Sequence, residues 1–317
     1  AGDSRRLSHA IDPDARLTIP ADEWAALAPA LAGRIERARR GELRLVLGLA
    51  AAGLSVAALL FLGVPFAAGP LARVTDPKVE SAFGEVYAAQ MKAAFPLCEG
   101  AHGQALMAWL GDRLYEASDS PLRFQVHAVE APFMNAFALP GGPILITDDL
   151  IEDATPEELA AVVAHEAAHV ERRHAMASAY RSAGLGLVLD LVVGGGSGAG
   201  QQAVLLAGSL TDMSYNRAAE AEADARGQEL LHAAGLSSKG MASFFDKLSA
   251  EESREAATVR EYLSTHPVGA NRRDAAARRE RDGDPPFNAE EWKVVQKTCD
   301  GDPRGRLPVV IFDRAGP

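Results

Sequence analysis

The stretch Ala161-Val162-Val163-Ala164-His165-Glu166-Ala167-Ala168-His169-Val170 decides how this chain is read. Residues four apart on an α-helix share a face, so His165 and His169 can present two imidazoles to one metal ion. Glu166 sits about 100° further round the helix. It is therefore no third ligand from that face, but it can act as a general base toward a water activated at the metal. Thr155 caps the helix, Pro156 suits its first position, and Glu158 completes a capping box. Ala164, Ala167 and Ala168 leave room for another element to come close. The bland alternative is a solvated helix with two incidental histidines. A tetrahedral zinc site would need a third protein ligand and an open position.

That ligand is sought in Ser214-Tyr215-Asn216-Arg217-Ala218-Ala219-Glu220-Ala221-Glu222-Ala223-Asp224. Read as a helix, it puts Glu220 and Asp224 on one face and Glu222 nearly opposite. Glu220 is the better ligand. Asp224 is then placed to accept a hydrogen bond from a ligating imidazole and fix its tautomer. Alone, this segment would read as a solvated acidic helix. With the upstream motif, its alanines suggest two closely packed helices. His174, one turn beyond the ligands, is taken as a packing residue, and His102, His127 and His232 as structural.

A net charge of -11 over 317 residues argues against a nucleic-acid partner. Leu45 to Phe66 runs 22 residues without a charge, the length needed to cross a bilayer. Arg37, Arg39, Arg40 and Arg44 crowd its front, so the positive-inside rule puts the N-terminal arm in the cytoplasm and the remainder outside. A buried core helix or a signal-like segment is the alternative. Cys98 and Cys299 are the only cysteines. In an exported domain they would form one bridge, whereas in the cytosol two unrelated thiols are the better reading.

Helices are expected from Asp76-Pro77 to about Phe95 and from Gly103 to Ala117. Arg123 to Val129 and Pro143 to Thr147 read as strands joined through Asn135-Ala136-Phe137-Ala138-Leu139-Pro140-Gly141-Gly142. An antiparallel edge beside the metal helix would let an extended peptide add as a strand near Asn135 and Ile144. An ordinary hairpin packed on helices is the other reading. Ala183 to Leu210 is apolar but broken by Asp190 and the run Gly194 to Gly200. It suggests a hairpin on the membrane surface or over the cleft, with a re-entrant segment as the alternative.

Set in order, these pieces resemble the gluzincin peptidases that include HtpX, the CAAX prenyl protease, the mitochondrial overlapping-activity protease and periplasmic BepA. The pieces are Asn135 to Gly142, His165-Glu166-Ala167-Ala168-His169 with Arg173-His174, Arg217 with Glu220 and Asp224, and Ser264-Thr265-His266-Pro267 with Arg272. The resemblance covers roughly Asp76 to Arg279 and looks most like the bacterial, overlapping-activity-type branch. It implies one zinc per chain held by His165, His169 and Glu220, with Glu166 as catalytic base and Arg217 holding the cleft or a substrate carbonyl. It also gives His266 a role near the metal, either as a latch that fills the open position or as an aid to catalysis.

The expected fold is mainly α with a small β-sheet, a zincin-like metallopeptidase domain behind one N-terminal transmembrane helix. The divisions are an N-terminal cytoplasmic arm (1–42), the transmembrane helix (43–66), the metallopeptidase domain (70–300) and a C-terminal tail (301–317). The expected function is a membrane-anchored endopeptidase acting on misfolded or misassembled envelope proteins, in the bacterial inner membrane with its catalytic domain periplasmic. The alternative is a zinc-bound chaperone or assembly factor with little turnover.

Overall fold

The computed structural model describes residues 4–8, 14, 16–182, 215–252, 262–266 and 270–300. The expectations for 183–210 and for the tail at 301–317 lie outside them. The chain divides into two compact units, Ala1–Leu60 and Phe61–Pro317. The first holds an antiparallel pair of strands that the sequence reading missed, β1 (Ser4–Ser8) and β2 (Arg16–Pro20). It also holds the greater part of a 54-residue helix, α1 (Ala21–Val74), which contains the whole charge-free run. Leu45, Val46, Leu47, Leu49, Leu54 and Leu59 are exposed along it. Among the described residues, no helix is long and apolar enough to cross a membrane.

In the second unit, α2 (Pro77–Ala94) is capped by the Asp76 carboxylate and α3 (Ala101–Glu116) buries Met107, Leu110 and Leu114. Strands β3 (Gln125–Val129), β4 (Ala136–Ala138) and β5 (Pro143–Thr147) follow, then α4 (Asp148–Asp153) and α5 (Pro156–Glu171). Beyond them lie α6 (Arg217–Ala233), α7 (Gly240–Glu252), α8 (Ala270–Arg278) and α9 (Ala289–Gln296).

The sheet corrects the sequence reading. Its order is β3-β5-β4, with β3 parallel to β5 and β4 antiparallel to it. Gly141 and Gly142, both at positive φ, turn the chain between β4 and β5, so the hairpin there is β4–β5 rather than β3–β5. Ile144 is therefore paired on both sides, with Val126 and with Ala138, and is fully buried. It cannot be an edge that receives a peptide. The outer edge beside α5 belongs to β4. Thr147 N–H donates to the Asn135 carbonyl and Leu139 N–H to that of Pro143. By the alternation of antiparallel pairing, Ala136 and Ala138 then turn their backbone groups away from β5.

Helix α5 starts as expected, with the Thr155 and Glu158 capping box in place and Pro156 in the first turn. Every residue from Glu158 to Val170 is buried, which makes it the central helix of this unit rather than a solvated one. Helix α6 packs against it through Gly227. A Cβ there would sit 3.0 Å from the His165 backbone nitrogen and 3.1 Å from the Ala164 carbonyl. Close packing was expected from the alanines of α6, yet Ala218 and Ala221 are exposed and only Ala223 is fully buried. The glycine sets the approach. Arg226 reinforces it with a bidentate pair to Glu171, at 2.7 and 3.0 Å.

Cys98 and Cys299 are joined, 201 residues apart in sequence. The bridge fastens the segment after α9 to the start of α3, where Gly100 N–H also donates to the Thr298 carbonyl at 2.9 Å. Replacing both cysteines by serine should destabilise the fold by about 2–5 kcal/mol. Denaturant unfolding with and without reductant checks this, and an unchanged midpoint would show that the bridge contributes nothing. Gly227→Val should destabilise by about 1–3 kcal/mol through overpacking between two backbones, with Gly227→Ala well below it. Equal midpoints for the two variants would show that the helices yield.

Candidate metal centre

Four buried side chains from three segments converge. His165 and His169 lie one turn apart on α5, their Nε2 atoms separated by 3.0 Å. Glu220, in the first turn of α6, has Oε1 at 3.4 Å from His169 Nε2 and Oε2 at 3.6 Å from His165 Nε2. Nδ1 of His266 lies 3.3 Å from His165 Nε2 and 3.2 Å from Glu220 Oε1. Ligands at zinc distances of roughly 2.0–2.1 Å in a tetrahedron stand about 3.3 Å from one another. The separations fit, and three imidazoles with one carboxylate are donors that suit zinc.

Glu166 gives an independent test of the fit. It is fully buried, yet neither carboxylate oxygen has a hydrogen-bond partner among the described residues. His266 Nε2 lies 3.4 Å from its Oε1. A buried carboxylate left so costs several kcal/mol, so its place beside the four donors fits a site that binds a cation.

The candidate donors are held from behind. Nδ1 of His165 lies 3.0 Å from Asp224 Oδ1, and Arg272 grips Asp224 through two bonds of 2.7 and 2.8 Å. A third nitrogen of Arg272 reaches Glu220 Oε2 at 2.7 Å. Burial alone would raise both carboxyls. For Glu220 the charges and hydrogen bonds of His266, His169 and His165 outweigh it, and for Asp224 Arg272 and His165 do so, leaving both below the usual carboxylate range.

Of the other residues singled out, Asn135 is buried, its Oδ1 accepting from Ala136 N–H at 2.8 Å while its Nδ2 has no partner among the described residues. Arg217 is exposed at the start of α6 and is not brought to the cluster. The arginine at the ligands is Arg272, whose signal in the sequence was its place six residues after His266. Two further residues meet His169. His174 packs against His169 with its Nδ1 2.9 Å from His169 Nδ1, and burial pushes its pKa down to about 4. Tyr215 stacks on His169 with ring centroids 3.9 Å apart and has a buried hydroxyl without a partner among the described residues.

Comparison with known proteins agrees with this geometry. Over 212 residues the chain is 32% identical to the beta-barrel assembly-enhancing protease of Yersinia pestis, a span of 63% of this chain and 43% of that protein. It is 31% identical over 157 residues to the metalloprotease LoiP of Escherichia coli, covering 48% of this chain and 60% of LoiP. It is 27% identical over 154 residues to the mitochondrial metalloendopeptidase OMA1 of Schizosaccharomyces pombe, covering 48% and 45%. The chain thus spans less than half the length of the assembly-enhancing protease. Residues 104–280, more than half of the chain and inclusive of every donor above, match peptidase family M48. The chain belongs to peptidase family M48, the zinc metallopeptidases.

Proposed function

We propose that this chain is a membrane-anchored zinc endopeptidase of the bacterial envelope that removes misfolded or misassembled envelope proteins. The observation that carries the reading is Glu166, a buried carboxylate without a partner beside a set of donors spaced for zinc. Zinc, when bound, supplies a Lewis acid that polarises the scissile carbonyl and lowers the pKa of water toward neutrality. Glu166 takes the proton of the attacking water and passes it to the leaving amine. The outward edge of β4 receives the substrate backbone, and the free Nδ2 of Asn135 donates to a substrate carbonyl.

His266 acts as the latch in this reading. Its Nδ1 would be a fourth donor to zinc, beside His165 Nε2 and Glu220 Oε1, and would fill the position a substrate needs at rest. The charge-free run of α1 is the anchor, supported by its length and its exposed leucines. The catalytic unit lies on the periplasmic side, because the arginines before the run hold the N-terminal arm in the cytoplasm and a disulfide forms in an oxidising compartment. The names of the relatives, above all the beta-barrel assembly-enhancing protease, favour envelope substrates over a chaperone without turnover.

Glu166→Gln should keep zinc at parent stoichiometry and lose about 10²–10⁴-fold in cleavage of casein or of the protein itself. Cleavage undiminished by that change would sink the peptidase mechanism. Glu220→Ala should lose the metal, and zinc retained as tightly as in the parent would remove Glu220 from the ligand set. His266→Ala should raise basal cleavage of an unfolded substrate while zinc remains bound. A fall in turnover with zinc retained would instead make His266 an aid to catalysis.

A further inference from the structure

We propose that His174 is a positioning residue of the metal centre, accepting a hydrogen bond from Nδ1–H of His169 and so fixing the tautomer whose Nε2 is free to ligate. This rests on the zinc reading of the site above. The two Nδ1 atoms stand 2.9 Å apart, and one of them must donate and the other accept. Nε2 of His169 faces the other donors, at 3.0 Å from His165 Nε2 and 3.4 Å from Glu220 Oε1, so it must carry no proton if it is to bind metal. The ring proton of His169 is then on Nδ1, and the Nδ1 of His174 is the acceptor. That leaves the proton of His174 on Nε2, which points toward Glu222 Oε2 at 3.6 Å. Glu222 is steadied in turn by Arg172 Nε at 3.2 Å.

The backbone is built to make this contact. On a continuous helix, residue 174 would lie about 140° round from residue 169 and face away from it. Arg173 instead adopts φ +58°, the one non-glycine residue at positive φ among those described, and ends α5 with a left-handed turn. The chain re-enters helix at 174 in a new direction. Arg173 is held in that conformation by its guanidinium, which donates to the carbonyls of Ala72, at 3.1 Å, and Thr75, and lies 3.4 Å from Glu80. The unfavourable turn brings the His174 ring onto His169, with centroids 5.0 Å apart.

The two α5 ligands thus have outer partners of different kinds. His165 donates to a carboxylate, Asp224, whereas His169 donates to a neutral imidazole. A neutral acceptor orients the ring without adding a further negative charge beside Glu220 and Glu166.

The test measures zinc affinity of the full chain by chelator competition. His174→Asn keeps an acceptor oxygen near the place of Nδ1, and His174→Phe keeps the ring volume without it. His174→Phe should bind zinc about 10- to 100-fold more weakly, the usual cost of losing such an outer partner, and His174→Asn should stay within a few-fold of the parent. Unweakened binding by His174→Phe, or equal weakening of both, would overturn the proposal in favour of simple packing. Imidazole ¹⁵N NMR of the zinc-loaded parent decides the same question without a variant that might fail to fold. The expected spectrum has His174 protonated at Nε2, and a proton on its Nδ1 would overturn the assignment. A parent that takes up no zinc would sink the metal reading itself, whereas a zinc-binding parent matched by His174→Phe sinks only this proposal.

Discussion

The rest of the site depends on the approach of α6 to α5 at Gly227. Two helices usually meet through side chains, and interaxial distances of 8–10 Å follow. Here one glycine lets the α6 backbone touch that of α5 at Ala164 and His165. Glu220 lies two turns before Gly227 on the same helix, so this contact fixes how deeply its carboxylate reaches between the two imidazoles. Asp224, one turn nearer, meets the back of His165 for the same reason. The bidentate pair of Arg226 with Glu171 holds the helices from the side.

Charge gives the site its second constraint. Glu166, Glu220 and Asp224 are all buried together, and Arg272 pairs with two of them, Glu220 and Asp224. One guanidinium compensates Asp224 and part of Glu220, while Glu166 has no hydrogen bond among the described residues and only His266 Nε2 near it, at 3.4 Å. Unpaired buried charge is costly enough that such an arrangement is stable when a metal ion supplies the missing positive charge. Metal binding at such a site would couple to folding of the region around α5 and α6.

A chain of hydrogen bonds ties His266 to the edge where a substrate would lie. Tyr215 N–H donates to the Thr265 carbonyl at 3.3 Å, and the Thr265 hydroxyl reaches Asn135 Oδ1 at 3.4 Å. Asn135 in turn holds Ala136 on β4. Tyr262 stacks under His266 and Tyr215 stacks on His169, so two aromatic rings frame the donors. A peptide that engages Asn135 acts on the same bonds that hold the segment carrying His266.

The sequence by itself determined what local periodicity can carry. The four-residue spacings His165 to His169 and Glu220 to Asp224 name the faces of two helices, and the capping box at Thr155 names where one of them begins. The paired cysteines and the charge-free run of α1 were equally plain, because count and length are properties of the chain alone. What only the tertiary structure decided involves either distant partners or a break in the period. The parallel pairing that makes β5 the centre of the sheet joins segments that local pattern cannot order, and this is why Ile144 was misplaced. Arg272 was visible as a residue but not as a partner of both Glu220 and Asp224, since no spacing relates it to them. The contact of His174 with His169 could not be read from helical periodicity, which turns the two apart, and only the left-handed turn at Arg173, fixed by carbonyls about a hundred residues earlier, brings them together.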